Sequence, residues 1–410
     1  MGGEMFKNSV TTTPNRTSTQ LAFWRALWLK IHRYIGLSLG AIFVISGLTG
    51  SILAFWQPID EWLNNDMMFV AAPTDKSHYQ SLDAILRAAE QMAPPGSVPS
   101  ILTMPRHKNA AVSVSFVVST QDDLLDQSEV FVDPYTAKGT GRRFLQHGNS
   151  VVSMPFIRTV ISLHASLLFG DNKRYMVGIP AVFLLLSLSA GVYLWWPRNG
   201  NWRHALTMKW GATPVRLTYD VHRITGLYLY LILTILLFSG IYMIFKPQVQ
   251  SLVGLFPPVR GDPKNLMSVL VPDQPALGLD TAAAIADGTF PDGQLHWIFL
   301  PQGRDGVYVV GKRADNEPNH WATYRNITID QYSGKVLNVQ DRANFSAGER
   351  FLEWQYPLHS GEAFGNAGRA FILLTGFVPL ILYVTGFIRW RQKRRGRKLS
   401  KPHIGMTAMN

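Results

Sequence analysis

The chain contains, at residues 32–56, the run HRYIGLSLGAIFVISGLTGSILAFW, in which no charged residue follows Arg33. A helix needs roughly 20 apolar residues to cross the hydrocarbon core of a bilayer. Four uncharged runs of the chain reach this length, and they cover residues 34–56, 175–196, 224–245 and 370–388. The first run is too long for a cleaved signal peptide, so we predict a retained signal anchor. The sequence therefore predicts a membrane α-helical protein with four transmembrane helices.

The composition agrees with a membrane protein and narrows its chemistry. Of 410 residues, 47% are hydrophobic and only 16% are charged. The sequence has 11 histidines but no cysteine. The lack of cysteine excludes disulfides, thiolate zinc sites, cysteine-ligated iron–sulfur clusters and covalently attached c-type haem.

The net charge of +12 is distributed unevenly among the segments that connect the spans. Residues 1–33, 197–223 and 389–410 together carry 18 Lys and Arg against 2 Asp and Glu, whereas 57–158 and 246–368 carry 18 against 24. By the positive-inside rule, both termini and the middle loop are predicted to be cytoplasmic, and the two long loops lie on the other side. Because the excess charge lies next to span ends, it indicates topology and lipid contact rather than nucleic-acid binding.

The sequence matches itself at nearly constant offsets, which indicates an internal duplication. A shift of 190 residues places His-Arg-x-x-Gly-Leu of residues 32–37 on the same motif at 222–227. A shift of 195 places Leu-His of residues 163–164 on Leu-His of 358–359. We therefore predict the order span, outer domain, span, repeated once.

Each long loop is predicted to form an α+β domain. The first covers residues 57–158 and is followed by a segment to residue 174, and the second covers 246–369. They share an Asp-x-Tyr-[Ser/Thr] element, at 133–136 and at 330–333, that predicts a turn leading into another strand. Helical spacing predicts a helix at 81–92 and a weaker counterpart at 278–287. Strands are predicted at 111–118, 128–133, 294–300, 307–311 and 321–330.

Four of the histidines occupy repeat-equivalent positions. His32 and His222 each lie at the predicted cytoplasmic start of a span, whereas His164 and His359 each lie on an outer segment that leads into a span. A two-fold-related bundle would bring the members of each pair together. Each pair would then offer two neutral imidazoles from opposite sides, the axial arrangement that a b-type haem needs. We therefore predict two b-type haems with these four histidines as ligands of the haem iron.

Zinc is the weaker alternative, because it needs further ligands and acidic partners are scarce near these histidines. The remaining seven histidines have no repeat partner and are predicted to be solvated or locally hydrogen-bonded. They are His78, His107, His147, His204, His296, His320 and His403.

Four arginines flank the paired histidines. Arg33 and Arg223 are candidates to bind haem propionates at the cytoplasmic face, and Arg174 and Arg369, which a shift of 195 relates, are candidates at the outer face. The alternative is that these side chains extend to lipid phosphates.

Small residues in the first and third spans would leave room beside the helices for a flat ligand. Close helix packing uses the same residues, so both interpretations stay open. These residues are Gly36, Gly40, Ser46, Gly47, Gly50, Gly226 and Gly240. The shift of 195 also relates Gly191 to Gly386.

The duplicated His-Arg-x-x-Gly-Leu spans, the Leu-His segments and the Asp-x-Tyr-[Ser/Thr] elements resemble the PepSY-associated transmembrane family over about residues 24–392. This family includes iron-regulated inner-membrane proteins and FoxB-type ferric-siderophore reductases. The resemblance implies a bacterial inner-membrane location, two periplasmic PepSY-like domains, and axial ligation of two haems by His32, His222, His164 and His359. It also implies transfer of electrons to a periplasmic ferric siderophore or other iron chelate, with release of Fe(II).

Some relatives carry a fused flavodoxin-reductase module, and this chain does not. Its electron donor is therefore expected to be a separate protein, a quinol or a soluble reductant. Two other functions remain open. One is a membrane-anchored PepSY-type protein that binds or regulates a partner, and the other is a transporter for siderophore or haem, which would favour broken helices and a polar site at mid-membrane.

Overall fold

The structure is a computed structural model. It describes residues 16–73, 78–119, 125–146, 154–198, 200–256, 258–260, 266–315, 317 and 319–399. The chain divides into two compact units. The helical unit takes the described residues within Met1–Val44, Pro180–Phe238 and Val378–Asn410, and the sheet unit takes those within Ile45–Ile179 and Ser239–Phe377.

The described residues form α-helices in both parts of the duplicated sequence. They are α1 Arg16–Ser38, α2 Gly40–Leu53, α3 Trp56–Leu63, α4 Asn65–Met68, α5 Leu82–Met92, α6 Phe156–Ser166, α7 Tyr175–Trp195, α8 Trp202–Leu206, α9 Pro214–Tyr228, α10 Tyr230–Ile244, α11 Lys246–Val253, α12 Leu279–Thr289, α13 Ala347–Glu353, α14 Gln355–Ser360, α15 Gly365–Thr375 and α16 Val378–Leu399. The strands are β1 Val98–Thr103, β2 Val112–Ser119, β3 Leu125–Asp133, β4 Lys138–Gln146, β5 Gln294–Phe299, β6 Val307–Arg313, β7 Arg325–Asp330 and β8 Val336–Gln340.

Two helices of the described chain are long and apolar enough to cross a membrane, and the number rises to four if each of two bent pairs is one span. The two are α7 and the 35-residue run Glu362–Gly396, which contains α15 and α16. The bent pairs are Gln20–Ser38 with Gly40–Leu53, at 56°, and Pro214–Tyr228 with Tyr230–Ile244, at 61°. The sequence predicted four straight runs at these places and did not predict the bends.

The two bends lie at Leu39 and Leu229, which are 190 residues apart. Before the first bend the Ser38 hydroxyl donates to the Tyr34 carbonyl over 2.7 Å, a local bond that bends helices. At the second, the Leu229 amide still donates to the Thr225 carbonyl over 3.2 Å, with the backbone outside the helical region at ψ 6°. The duplication stays a prediction, and the spacing of the bends equals its offset.

All strands join in one antiparallel sheet of the order β4-β3-β2-β1-β5-β6-β7-β8. Strands β1 and β5 join the two halves, with Leu102 opposite Ile298. The sequence interpretation described two separate α+β domains, and the structure joins them edge to edge. A sheet half whose edge strand pairs with the other half leaves fewer unpaired backbone groups than two open sheets.

The helices α5 and α12 cover one face of this sheet and share its hydrophobic core. Ile85 and Ala282 are fully buried against strand residues of both halves, including Val114 and Val310. In β2 the buried residues alternate, as expected for a strand with one covered face. The predicted helices agree with α5 and α12, while β7 begins at Arg325, four residues later than predicted.

The N-termini of α5 and α12 cap each other. Asp280 of α12 accepts from the amide of Leu82 over 2.8 Å, and Asp83 of α5 accepts from the amide of Leu279 over 2.7 Å. Each carboxylate thus satisfies a free N–H of the other helix and lies near its positive end.

Replacing Asp280 with alanine is expected to lower the melting temperature of the sheet unit by roughly 2–4 °C, because losing one cap costs about 1 kcal/mol. Thermal unfolding in detergent would measure it. Glu90→Ala, at an exposed position of α5, is the matched control and should leave the melting temperature nearly unchanged. An equal effect of both substitutions would contradict the capping role.

The same cap predicts a pH dependence. Burial raises the pKa of Asp280, but hydrogen bonds donated by the Leu82 and Asp83 amides outweigh it, so this pKa lies below its ordinary value. A lowered pKa means that the stabilisation is fully present above the unfolded pKa of about 4 and disappears as the pH falls through the folded value. The difference in melting temperature between the wild type and Asp280→Ala should therefore shrink only below about pH 4.

Candidate functional site

Each predicted histidine pair lies within one unit of the structure. In the helical unit, His32 on α1 and His222 on α9 have ring centres 6.1 Å apart and ring planes inclined by 77°. In the sheet unit, His164 on α6 and His359 on α14 have ring centres 6.0 Å apart and planes inclined by 74°. The two pairs therefore have nearly the same geometry, although different helices build them.

In three of the four rings the Nδ1 atom lies within hydrogen-bond distance of a backbone carbonyl. The distances are 2.8 Å for His32 to Ser187 O, 3.0 Å for His164 to Ser46 O and 3.1 Å for His222 to Leu382 O. A carbonyl only accepts, so Nδ1 carries the proton in these rings. The other nitrogen, Nε2, is then unprotonated, which is the form that binds a metal ion.

A hydroxyl on a neighbouring helix also lies close to the Nδ1 atom of every paired histidine. The distances are 3.1 Å for Ser187 to His32, 3.1 Å for Thr49 to His164, 2.9 Å for Thr385 to His222 and 2.8 Å for Ser239 to His359. Thr49 and Thr385 donate to carbonyls one turn back in their own helices, so their lone pairs are free to accept from Nδ1. Each ring is thus oriented by a partner beyond the metal position, as metal-ligating histidines usually are.

A glycine lies against the Cε1 atom of each ring. A Cβ built on the glycine would lie 3.2 Å from His32 at Gly191, 3.3 Å from His164 at Gly50, 3.4 Å from His222 at Gly386 and 3.5 Å from His359 at Gly240. Larger side chains at these positions would displace the rings. Gly40 and Gly226 instead contact Tyr383 and Leu382, so some glycines serve helix packing and others admit a histidine ring.

The spacing of the rings fits a metal ion held between two imidazoles. With about 2 Å from metal to each nitrogen and about 1.1 Å from nitrogen to ring centre, the centres would lie about 6.2 Å apart. The observed 6.1 Å and 6.0 Å agree with this. Across the described ranges, His, Asp and Glu side chains do not converge in any group of three that could hold a metal. A zinc site with three protein ligands therefore has no candidate there, whereas a two-ligand haem iron has two.

The protonation state of His164 suits ligation. Desolvation lowers the pKa of this imidazole, and the hydrogen bond to the Ser46 carbonyl opposes the shift only in part. The ring is therefore neutral at pH 7, with Nε2 free to bind a metal.

Comparison with known protein families decides the family. The sequence profile of the PepSY-associated TM region matches residues 29–393, which is most of the chain. The chain belongs to the PepSY-associated transmembrane family. The resemblance seen in the sequence is thereby confirmed at family level, as is the membrane character, while the FoxB subtype stays a prediction. Comparison with curated proteins gives no match.

In this PepSY-associated protein the two predicted cytoplasmic arginines differ in their contacts. Arg223 pairs with Asp220 at 3.0 Å and donates to the carbonyls of His204 and Thr207. Arg33 lies over the ring of Tyr34 at 4.9 Å. Within the described residues the Nε atom of each arginine is buried without a hydrogen-bond partner. Both guanidinium groups therefore keep a donor for an anionic group such as a propionate.

The two predicted outer arginines also differ. Arg369 donates to the Ala54 carbonyl over 2.6 Å, and its Nη2 atom is buried without a partner among the described residues. Arg174 is half exposed and pairs with Asp171 at 3.4 Å. Arg369 is therefore the better candidate for an internal anion, and Arg174 has the contacts of a surface ion pair.

The unpaired histidines that the structure describes have ordinary surroundings. His107 contacts Glu61 at 3.3 Å, and His296 contacts the Trp321 carbonyl at 3.2 Å. His320 contacts Arg313 at 3.4 Å, the His204 carbonyl accepts from Arg223, and His78 is exposed. The two others, His147 and His403, lie outside the described residues.

Proposed function

We propose that this protein is a dihaem b-type oxidoreductase of the bacterial inner membrane, which passes electrons across the membrane and reduces a periplasmic ferric siderophore to release Fe(II). One observation carries the proposal. Two histidine pairs at repeat-equivalent positions face each other at the separation that a shared metal requires, with Nδ1 held by groups beyond the metal position.

His32 with His222 and His164 with His359 would hold the two haems, and Arg33, Arg223 and Arg369 would offer donors to their propionates. When bound, a haem with two imidazole ligands supplies one-electron transfer at a saturated iron. The residues of the chain keep both rings neutral and fixed in orientation. This arrangement favours electron transfer over oxygen chemistry, since both axial positions are occupied by protein.

The direction of transfer rests on the charge distribution of the sequence. The basic segments place His32 and His222 at the cytoplasmic face, and the mildly acidic long loops place the sheet unit in the periplasm. A separate protein, a quinol or a soluble reductant would supply each electron. The ferric chelate gains that electron and becomes Fe(II), which hard oxygen ligands hold less firmly.

Proteoliposomes loaded with dithionite would test this function. With a ferric siderophore and the Fe(II) trap ferrozine outside, we expect coloured Fe(II) complex to form outside the vesicles with the wild type. His222→Ala should reduce the rate at least tenfold, while His107→Ala, which changes an unpaired histidine, should leave it unchanged. Equal rates in wild type and His222→Ala would contradict the proposal.

The two bent helices favour transport as a second candidate function, because transporters use broken helices at their binding sites. Here α2 resumes one residue after the first bend, and Gly40 packs against the Tyr383 ring. Uptake of radioactive iron into the same proteoliposomes would separate the two. Transport predicts labelled chelate inside the vesicles without any reductant, and the oxidoreductase predicts none.

A further inference from the structure

The sheet unit contains a cavity of about 290 Å³ where β5 begins and β6 ends. Gln294 and Arg313, which are opposite each other in the sheet, line one side. Glu362 and Arg369 line another side, and they follow His359 in the chain by three and ten residues. The cavity thus adjoins the segment that carries one of the paired histidines.

Most of the charge in the cavity wall is positive. Arg106 is already neutralised by Glu61, which does not line the cavity, at 2.8 Å. Arg313 contacts the His320 ring at 3.4 Å and has no ion-pair partner among the described residues. Its guanidinium group is therefore available to an anion that enters the cavity.

Arg369 adds a second available cation. Its Nε is bound to the Ala54 carbonyl, and its Nη2 is buried without a partner in the described part of the chain. Glu362, an acid in the wall, accepts from the His320 amide at 3.1 Å. The wall therefore keeps more free donors than acceptors.

The size and the donors of the cavity select a small, oxygen-rich ligand. Its volume is near the lower end for small-molecule sites, which run from about 300 to 1,000 Å³. Guanidinium groups bind carboxylates in a bidentate fork, and the amides of Gln57 and Asn366 add neutral donors to the wall. A large chelate without negative charge would match neither the volume nor the charge.

We propose that this cavity binds a small ferric hydroxycarboxylate chelate of the citrate type, with Arg313 as its principal anchor and Arg369 as the second. The fate of the bound iron rests on the proposed function, in which its Fe(III) gains one electron from the reductant and leaves as Fe(II). Binding itself does not depend on that function. A citrate complex of Ga(III), which has the charge of the ferric complex but is not reduced, isolates the binding step.

Titration calorimetry of the haem-loaded protein with Ga(III)–citrate tests the site. We expect saturable binding that weakens as salt is added, since exposed ion contacts are screened. Arg313→Gln should weaken binding about tenfold or more while haem content and melting temperature stay at wild-type values. Arg304→Gln, at an exposed position outside the cavity wall, is the matched control and should bind as the wild type does.

Three results would overturn the inference: no binding of Ga(III)–citrate, equal binding by Arg313→Gln and the wild type, or equal binding of a Ga(III) hydroxamate chelate that carries no negative charge. The proposed function would fail differently. In that case Ga(III)–citrate would bind with the expected dependence on Arg313, but the protein would contain no haem or would not reduce ferric citrate.

Discussion

His164→Ala is expected to reduce the haem content from two to one per chain and to leave the second haem unchanged. The substitution removes one axial nitrogen from the pair with His359, whose ring centre lies 6.0 Å away. The pair formed by His32 and His222 lies in the other unit and keeps both of its ligands. Pyridine haemochrome analysis of the purified variant, together with its reduced absorption spectrum, measures the content.

Two controls accompany this variant. His107→Ala changes a partly exposed histidine that contacts Glu61 and should keep both haems. His164→Gly leaves space for free imidazole, whose addition during haem loading should restore the second haem. Two haems in His164→Ala would show that His164 is not a ligand, and loss of both in a folded protein would contradict two independent sites.

Gly386→Leu is expected to remove the haem of the helical unit, again lowering the content from two to one. A Cβ at Gly386 would lie 3.4 Å from the Cε1 atom of His222, at the limit of ordinary contact. The three further carbons of leucine would have to enter the space of the ring, so His222 would turn away from His32. Leucine is favourable in a membrane helix, so the helix itself should persist.

The size of the side chain at this position should set the effect. Gly386→Ala needs the ring to move by little and should keep most of the haem, perturbing only its spectrum and potential. Gly396→Leu, on the same helix at a glycine with nothing within 4 Å, should keep both haems. Haem analysis as above measures all three, and full occupancy in Gly386→Leu would show that the ring does not depend on this glycine.

The histidine pairs illustrate what the sequence predicts well. Duplication alone placed His32 with His222 and His164 with His359, because equivalent positions in a repeat have equivalent surroundings. The atoms that hold the rings had no such signal. The acceptors are backbone carbonyls, for example those of Ser187 and Ser46, and any residue type supplies a carbonyl.

Gly191 and Gly386 had a signal that the interpretation did not use. They match at the same offset as the Leu-His segments, and the structure places both against histidine rings. Their match in the repeat showed that the positions were equivalent, but not what they contact. Only the helix packing shows that a Cβ there would meet His32 or His222.

The bends and the single sheet could not be predicted from the sequence. Hydropathy reports how apolar a run is, and the residues around Leu39 and Leu229 are as apolar as a straight span. The pairing of β1 with β5 joins segments about 195 residues apart, for which a sequence has no local pattern. Strand β1 itself contains Pro99, Ser100 and Thr103, a composition typical of loops.

The most direct test of the central claim is the haem content and spin state of the purified wild-type protein. The geometry predicts two b-type haems per chain, both low-spin in the ferric form. Electron paramagnetic resonance should show strongly anisotropic signals, because the ring planes of both pairs are inclined by more than 70°. Absence of haem, a single haem, or a high-spin iron with an open axial position would contradict the account.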